Sequence, residues 1–100
     1  MAYQVFYQSE VEKDVADAKK WYKSKQPGLD KRFSSAVKQT IAEIIKNPLR
    51  FSKRYKNYRI AYTKVFPFGI HFYLDETQER ILVVAILHVK RDLRAILENR

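Results

Sequence analysis

A buried strand can be recognised in Ile81-Leu82-Val83-Val84-Ala85-Ile86-Leu87, which runs directly into His88-Val89-Lys90-Arg91-Asp92. Seven apolar, mostly β-branched residues predict a strand that is covered on both faces and lies centrally in a sheet. The strand ends in an imidazole and two cations instead of in turn residues, so a rigid element would hold these polar groups in one place. The end of this strand is therefore a first candidate for a functional position.

Composition limits the classes of protein that the chain can belong to. One hundred residues, 46% of them hydrophobic, predict one domain over residues 1–100 with a single core. The absence of cysteine excludes disulfides and thiolate metal sites, and two histidines without spaced carboxylates predict no metal site and no cofactor. We also find no signal-peptide pattern and no apolar run of membrane-spanning length, which predicts a soluble, cytoplasmic protein without a membrane partner.

Periodicity and turn residues predict the order of the elements. The expected strands cover residues 3–8, 59–65, 69–74 and 80–89. One helix starts at a Ser9–Glu12 capping box and stops at Pro27-Gly28, and a second ends at Asn47-Pro48. A short helix covers 92–99. Two apolar stripes mark the buried faces of the long helices: Val11, Val15, Ala18 and Tyr22 on the first, and Leu29, Phe33, Val37, Ile41 and Ile44 or Ile45 on the second. We predict an α+β domain of order β-α-α-β-β-β(-α), with a helical hairpin on one face of a mainly antiparallel sheet.

Positive charge is concentrated in the middle third of the chain. Residues 44–74 contain seven Lys/Arg and no acid, interleaved with aromatic residues. Cations beside stacking surfaces are typical of single-stranded nucleic acid binding, although the same field would also attract an acidic protein such as a dedicated inhibitor. The residues that we predict to bind nucleic acid or a partner are Arg50, Lys53, Arg54, Tyr55, Lys56, Tyr58, Lys64, His71 and Lys90.

Strand alternation predicts which side chains share the face of the sheet away from the helices. If Ile70, Phe72 and Leu74 face the helices, then His71 and Tyr73 point to the opposite side. By the same argument we expect Arg59 on that open side, because a mid-strand arginine is costly unless it meets water, a carboxylate or a phosphate. Alternation does not decide the face of His88, because its strand is apolar on both faces.

Several segments stand out together with the element order: Trp21-Tyr22, Pro27-Gly28-Leu29, Asn47-Pro48, Arg59, Phe66-Pro67-Phe68-Gly69-Ile70, and Ile81 through Asp92. In these segments the chain resembles the RelE/ParE superfamily of type II toxin–antitoxin toxins, and its closing segment is most similar to the ParE branch. The resemblance covers nearly the whole sequence.

The resemblance implies a small basic toxin that a cognate antitoxin neutralises. ParE-like members poison DNA gyrase, whereas RelE-like members cut mRNA on the ribosome. RNA cleavage needs a base, an acid and cations around the phosphorane. The resemblance would place Arg59 and Arg91 as the cations and His88 as acid or base, with Tyr73 or Lys90 assisting.

Three functions remain open at this point. The first is a ParE-like toxin that binds gyrase without chemistry of its own, which we favour because the fuller catalytic clusters of the nuclease branches are missing. The second is a RelE-like ribonuclease that uses Arg59, His88 and Arg91. The third is a non-toxic, nucleic-acid-binding descendant of the fold.

Overall fold

A computed structural model of the chain describes residues 3–100 as one five-stranded sheet with helices on both sides. The elements in chain order are β1 (Gln4–Tyr7), α1 (Ser9–Lys25), α2 (Leu29–Lys46), a 3₁₀ turn (Pro48–Arg50), β2 (Lys53–Tyr55), β3 (Tyr58–Tyr62), β4 (Phe68–Asp75), β5 (Arg80–His88) and α3 (Leu93–Glu98). The strand order is β1-β5-β4-β3-β2, and only the β1–β5 pair is parallel. The predicted α+β class is confirmed, and the predicted element order holds except for the additional strand β2.

Helices α1 and α2 form the predicted hairpin and cover one face of the sheet, which we call the helix side. Val11 and Ala18 of α1 are buried, as are Phe33, Val37 and Ile44 of α2. The turn between the helices depends on Gly28, whose φ of 89° lies in the left-handed region that glycine adopts without strain. Among residues 3–100, neither helix is long and apolar enough to cross a bilayer.

One local prediction about the chain was wrong, and one strand was not predicted. Helix α1 already includes Ser9, and its hydroxyl donates to Glu10, so the expected capping box with Glu12 does not form. Strand β2 was not anticipated, because its three residues are too few to show a period. This strand matters for the site, because it carries Arg54 and Tyr55 to the edge of the sheet.

Register assigns the side chains of β4 to the two faces as predicted. Ile70, Phe72 and Leu74 belong to the core beneath α1 and α2, whereas His71 and Tyr73 point to the opposite side, which we call the open face. Strand β5 is an interior strand, as its sequence predicts, although β4 occupies the middle of the sheet.

A β-bulge in β5 changes which of its residues face the helices. Phe72 pairs with Val83 but His71 pairs with Ala85, so Val84 is an extra residue without a partner on β4. Beyond the bulge the alternation shifts by one residue. Ile86 therefore joins the helix-side core, while Leu87 lies on the open face.

Helix α3 covers part of the open face. Leu93 is 4% exposed and packs with Val84, Ala85 and Leu87 in a second, smaller core. Its N-terminus is capped by Asp92, whose carboxylate accepts a hydrogen bond from the backbone N–H of Arg94 at 3.0 Å. The helix thus turns back over the end of β5 and brings the charged residues around Arg91 to the open face.

Candidate functional site

The open face contains a cavity of about 450 Å³ between β2, β3, β4 and α3, which we call the open-face cavity. Each of these elements contributes side chains because the turn after β5 folds α3 back toward β2 and β3. Its lining residues are Arg54, Tyr55, Ile60, Tyr62, His71, Val89, Arg91, Asp92, Leu93 and Arg94. Three guanidinium groups against one carboxylate make this cavity suited to bind an anion.

His71 lies at the floor of the open-face cavity and is 5% exposed. Its Nδ1 atom is buried and has no hydrogen-bond partner among the described residues. Burial, and then the nearby Arg54 cation, lower the pKa of His71 to about 4. The imidazole is therefore neutral near pH 7, so it can accept or donate one hydrogen bond but is not an acid in that range.

A close approach of β3 to β4 shapes the same floor. A Cβ atom added to Gly69 would lie 2.6 Å from Cδ1 of Ile60 and 3.6 Å from Nε2 of His71. Glycine at this position allows Ile60 to lie across β4 beside the imidazole, and any larger residue would displace it.

Three tyrosines extend the open face from the cavity toward the edge of the sheet. The rings of Tyr55 and Tyr58 are nearly parallel with centroids 6.4 Å apart, and Tyr58 meets Tyr73 edge-to-face at 6.3 Å. The ammonium group of Lys56 lies 5.4 Å from the centroid of the Tyr55 ring. The predicted residues Arg54, Tyr55, Lys56, Tyr58, His71 and Tyr73 are thus brought together here.

Arg59 does not lie on the open face, and that prediction was wrong. It pairs with Phe72, and residues directly opposite each other on antiparallel strands share a face, so Arg59 lies on the helix side. Its Nη1 donates a 2.7 Å hydrogen bond to the carbonyl oxygen of Phe51. Arg59 is tolerated in mid-strand because this hydrogen bond holds the segment before β2 against the sheet. The alternation of residues in the sequence does not reveal such a contact.

The structure places His88 on the helix side as well, because of the bulge in β5. It pairs with Phe68, and the two rings meet edge-to-face with centroids 5.5 Å apart. Its Nδ1 accepts a 3.1 Å hydrogen bond from the backbone N–H of Lys90. A small cavity of about 190 Å³ next to it is lined by Asp14 and Asp17 of α1. His88 thus lies beside two carboxylates of α1, and of the three arginines of the open-face cavity only Arg91 also lines this small cavity.

Of the residues proposed for catalysis, His88 and Arg91 line one small cavity, but Arg59 lies apart from them. Arg59 and His88 are two strands and four residues apart, a backbone separation of about 17 Å for ordinary strand spacings. Arg91 lines both the open-face cavity and the small cavity beside His88.

Three of the predicted binding residues do not join the open-face cavity. Arg50 lies 3.6 Å from the Glu43 carboxylate, and Lys53 and Lys64 are exposed away from the open-face cavity. Within residues 3–100, no group of three His, Asp or Glu side chains could hold a metal ion.

Comparison with known families identifies the family of this chain. A family model described as the ParE toxin of the type II toxin–antitoxin system parDE matches residues 5–93. The chain belongs to the ParE toxin family. It is thus a toxin of a type II toxin–antitoxin system, as the sequence resemblance predicted. No curated protein matches its sequence.

Three solved toxin–antitoxin structures share the fold at low identity. The chromosomal ParDE system of P. aeruginosa has 11% identity and a TM-score of 0.73, over 87% of this chain and 96% of that chain. The RelBE2 complex of Mycobacterium tuberculosis has 13% identity and a TM-score of 0.59, over 88% and 99%. An E. coli RelE mutant in complex with an antitoxin RelBc peptide has 13% identity and a TM-score of 0.64, over 99% and 94%.

Sequence reasoning missed two polar residues of this toxin's open-face cavity. Arg94 and Asp92 line it, but neither was among the predicted site residues. A signal was available, because Arg91 and Arg94 are three residues apart across a predicted helix start and would lie on the same side of that first turn. The buried position of His71 had no such signal, since it depends on α3 returning over the sheet.

Proposed function

We propose that this toxin inhibits growth by binding and poisoning DNA gyrase, without chemistry of its own, and that a cognate antitoxin neutralises it. Support comes first from the family, whose model is that of a ParE toxin. The main structural support is the dispersal of the groups that RNA cleavage would require. The neutral His71 lies among the arginines, while His88 and Arg59 lie on the other side of the sheet about 17 Å apart, and only Arg91 also lines the cavity beside His88.

The proton chemistry of the open-face cavity argues in the same direction. General-acid catalysis of phosphodiester cleavage needs a group that still carries its proton near neutral pH and reaches the leaving oxygen. His71, with a pKa of about 4, does not meet this condition. The three arginines stay protonated and can stabilise an anion, but they do not release a proton in this range.

An antitoxin partner is supported by the three structures of similar fold, because these are toxin–antitoxin systems or complexes. The net charge of +9 would favour an acidic segment of such a partner. A short reading frame next to the gene that encodes an acidic protein is the expected genetic arrangement.

One observation favours the second candidate function, which is mRNA cleavage on the ribosome. Arg54, Arg91 and Arg94 surround a cavity beside a row of tyrosines, and this combination suits phosphates and stacked bases. The same arrangement would also serve binding of nucleic acid without cleavage. Cleavage of nucleic acid and binding without cleavage therefore differ in the reaction and not in the ligand.

The deciding experiment compares both targets with one purified preparation. Gyrase and supercoiled plasmid are incubated with the toxin, and the amount of cleaved plasmid trapped by denaturant is measured; translating ribosomes with a defined mRNA form the second arm. We expect cleaved plasmid and intact mRNA. Cut mRNA with no effect on gyrase would replace the proposal by the ribonuclease, and normal growth on expression without antitoxin would identify a non-toxic descendant.

A further inference from the structure

The turn between β3 and β4 presents an apolar side chain in a strained conformation. Val65 has a φ of 73°, in the left-handed region that β-branched residues rarely occupy. Its side chain is 86% exposed, so it contributes almost nothing to the core. Glycine or asparagine would adopt the same backbone conformation at a lower cost, and neither the turn nor the packing explains a valine here.

Buried hydrogen bonds hold this turn in place. The hydroxyl of Thr63, which is 7% exposed, donates to the carbonyl oxygen of Phe66 at 2.8 Å, and the backbone N–H of Phe68 donates to the same oxygen at 2.8 Å. Phe66 is itself anchored in the core, where its ring lies 4.9 Å from Tyr22 and 5.4 Å from Phe33. The tip at Val65 is therefore a rigid projection from the fold.

A basic hollow lies directly beside the tip. Its volume is about 360 Å³, and its lining residues are Lys31, Arg32, Ser35, Ala36, Gln39, Lys64, Val65 and Phe66. None of these is acidic, and Lys31, Arg32 and Lys64 are exposed. The ion pairs found in residues 3–100 are Arg50–Glu43, Arg94–Glu98 and Arg100–Asp14, so the three cations of the hollow are not neutralised within the chain.

We propose that the Val65 tip and the basic hollow together form the surface by which this toxin docks on DNA gyrase. The gyrase surface that fits has a small apolar pocket for Val65 and an acidic projection for the hollow. This inference rests on the proposed function and assigns a surface to it. Of the residues of this surface, the sequence analysis selected only Lys64. Lys31, Arg32 and Val65 are added by the structure.

The chemistry of the surface favours a folded protein as its partner. Stacking of bases would need an exposed aromatic face, but the only aromatic residue of the hollow, Phe66, is 7% exposed. An extended antitoxin tail would need a groove in which to lie, whereas a projecting tip requires a concave partner. A rigid apolar anchor with charges around it matches the anatomy of protein–protein interfaces, in which a polar rim surrounds an apolar core.

The test uses the full-length toxin with purified gyrase and supercoiled plasmid, and measures both gyrase affinity and trapped cleavage. We expect Val65→Gly to weaken binding at least tenfold while leaving the thermal midpoint unchanged or raised, because it removes the tip and relieves the strain. Lys31→Glu combined with Lys64→Glu should also weaken binding at least tenfold and reduce its salt dependence. Lys13→Glu combined with Lys20→Glu is the charge-matched control, since both lysines are exposed on α1 and neither lines the hollow.

Each outcome bears on the inference. Variants that poison gyrase at the wild-type concentration, or a Lys13→Glu and Lys20→Glu control that loses as much affinity as the reversal at Lys31 and Lys64, would overturn it while leaving the proposed function intact. A matching loss of affinity for plasmid alone would identify the hollow as a nucleic-acid site and overturn it as well. A wild-type toxin that never acts on gyrase would remove the proposed function first, and this inference with it.

Discussion

The two faces of the sheet bury different kinds of side chain. On the helix side, Phe33, Phe68 and Phe72 are each 8% exposed or less, and Phe33 packs edge-to-face on Phe68 at 4.8 Å. On the open face, His71 is buried with an unpartnered nitrogen in a cavity that three arginines line. The phenylalanine rings carry no polar group, so packing alone accommodates them. The open face leaves a polar group unpaired and like charges close together, both of which cost folding free energy. The difference indicates that the helix side stabilises the fold, whereas the open face is the candidate binding surface.

The largest expected effect tests the helix side. Phe33→Ala should lower the free energy of unfolding by about 4 kcal/mol, because it removes a fully buried ring in contact with Tyr22, Phe66 and Phe68. Urea denaturation measures the loss. Tyr73→Ala on the open face is the control and should cost much less, since Tyr73 is 40% exposed. Equal losses would mean that the two faces contribute alike to stability.

The next effect concerns the bulge that distinguishes the faces along β5. The carboxylate of Asp14 accepts the backbone N–H of Ile86 at 3.1 Å and pairs with Arg100, which also donates to the carbonyl oxygen of Val84 at 2.7 Å. Asp14→Ala should cost about 3 kcal/mol, because it leaves a largely buried cation and a backbone donor without partners. Hydrogen exchange should report faster exchange of the Ile86 amide.

The exposed Asp17 provides a matched control for Asp14 on the same helix. Asp17→Ala should change stability by a few tenths of a kcal/mol, as is usual at the surface. If both substitutions proved equally mild, the Asp14–Arg100 pair would have no part in holding the bulge.

A smaller effect comes from the open face and depends on pH. The folded-state pKa of His71 is about 4, below the ordinary value of 6.5, so between these values the unfolded chain binds the proton more strongly. Stability is therefore fully present above pH 6.5 and is lost as the pH falls toward 4. Between about pH 7 and about pH 5 the loss should be about 2 kcal/mol.

His71→Gln isolates this contribution, because glutamine keeps a polar side chain but does not titrate. Urea denaturation of both proteins at the two pH values should show a loss in the wild type that the variant lacks. If the two proteins lost the same amount of stability, the acid sensitivity would arise elsewhere and His71 would not be buried in its neutral form.

Much of the fold followed from local sequence patterns, while the candidate site did so only in part. The stripe through Val11 and Ala18 predicted the buried face of α1, and the alternation in β4 separated His71 from Phe72 correctly. The faces of Arg59 and His88 could not be obtained in this way. Arg59 depends on a hydrogen bond to a segment eight residues away, and His88 depends on one extra residue at Val84. Neither leaves a periodic signal.

By itself, the sequence determined the order of helices and strands, the buried stripes, the concentration of cations in residues 44–74 and the membership of a toxin family, because each of these is carried by neighbouring residues or by their spacing. Only the tertiary structure decided which cations meet. The bulge in β5 and the return of α3 over the open face bring Arg54, Arg91 and Arg94 around His71 and turn His88 toward α1. Contacts between residues distant in the chain depend on register and packing, and a one-residue shift in register moves a side chain to the opposite face.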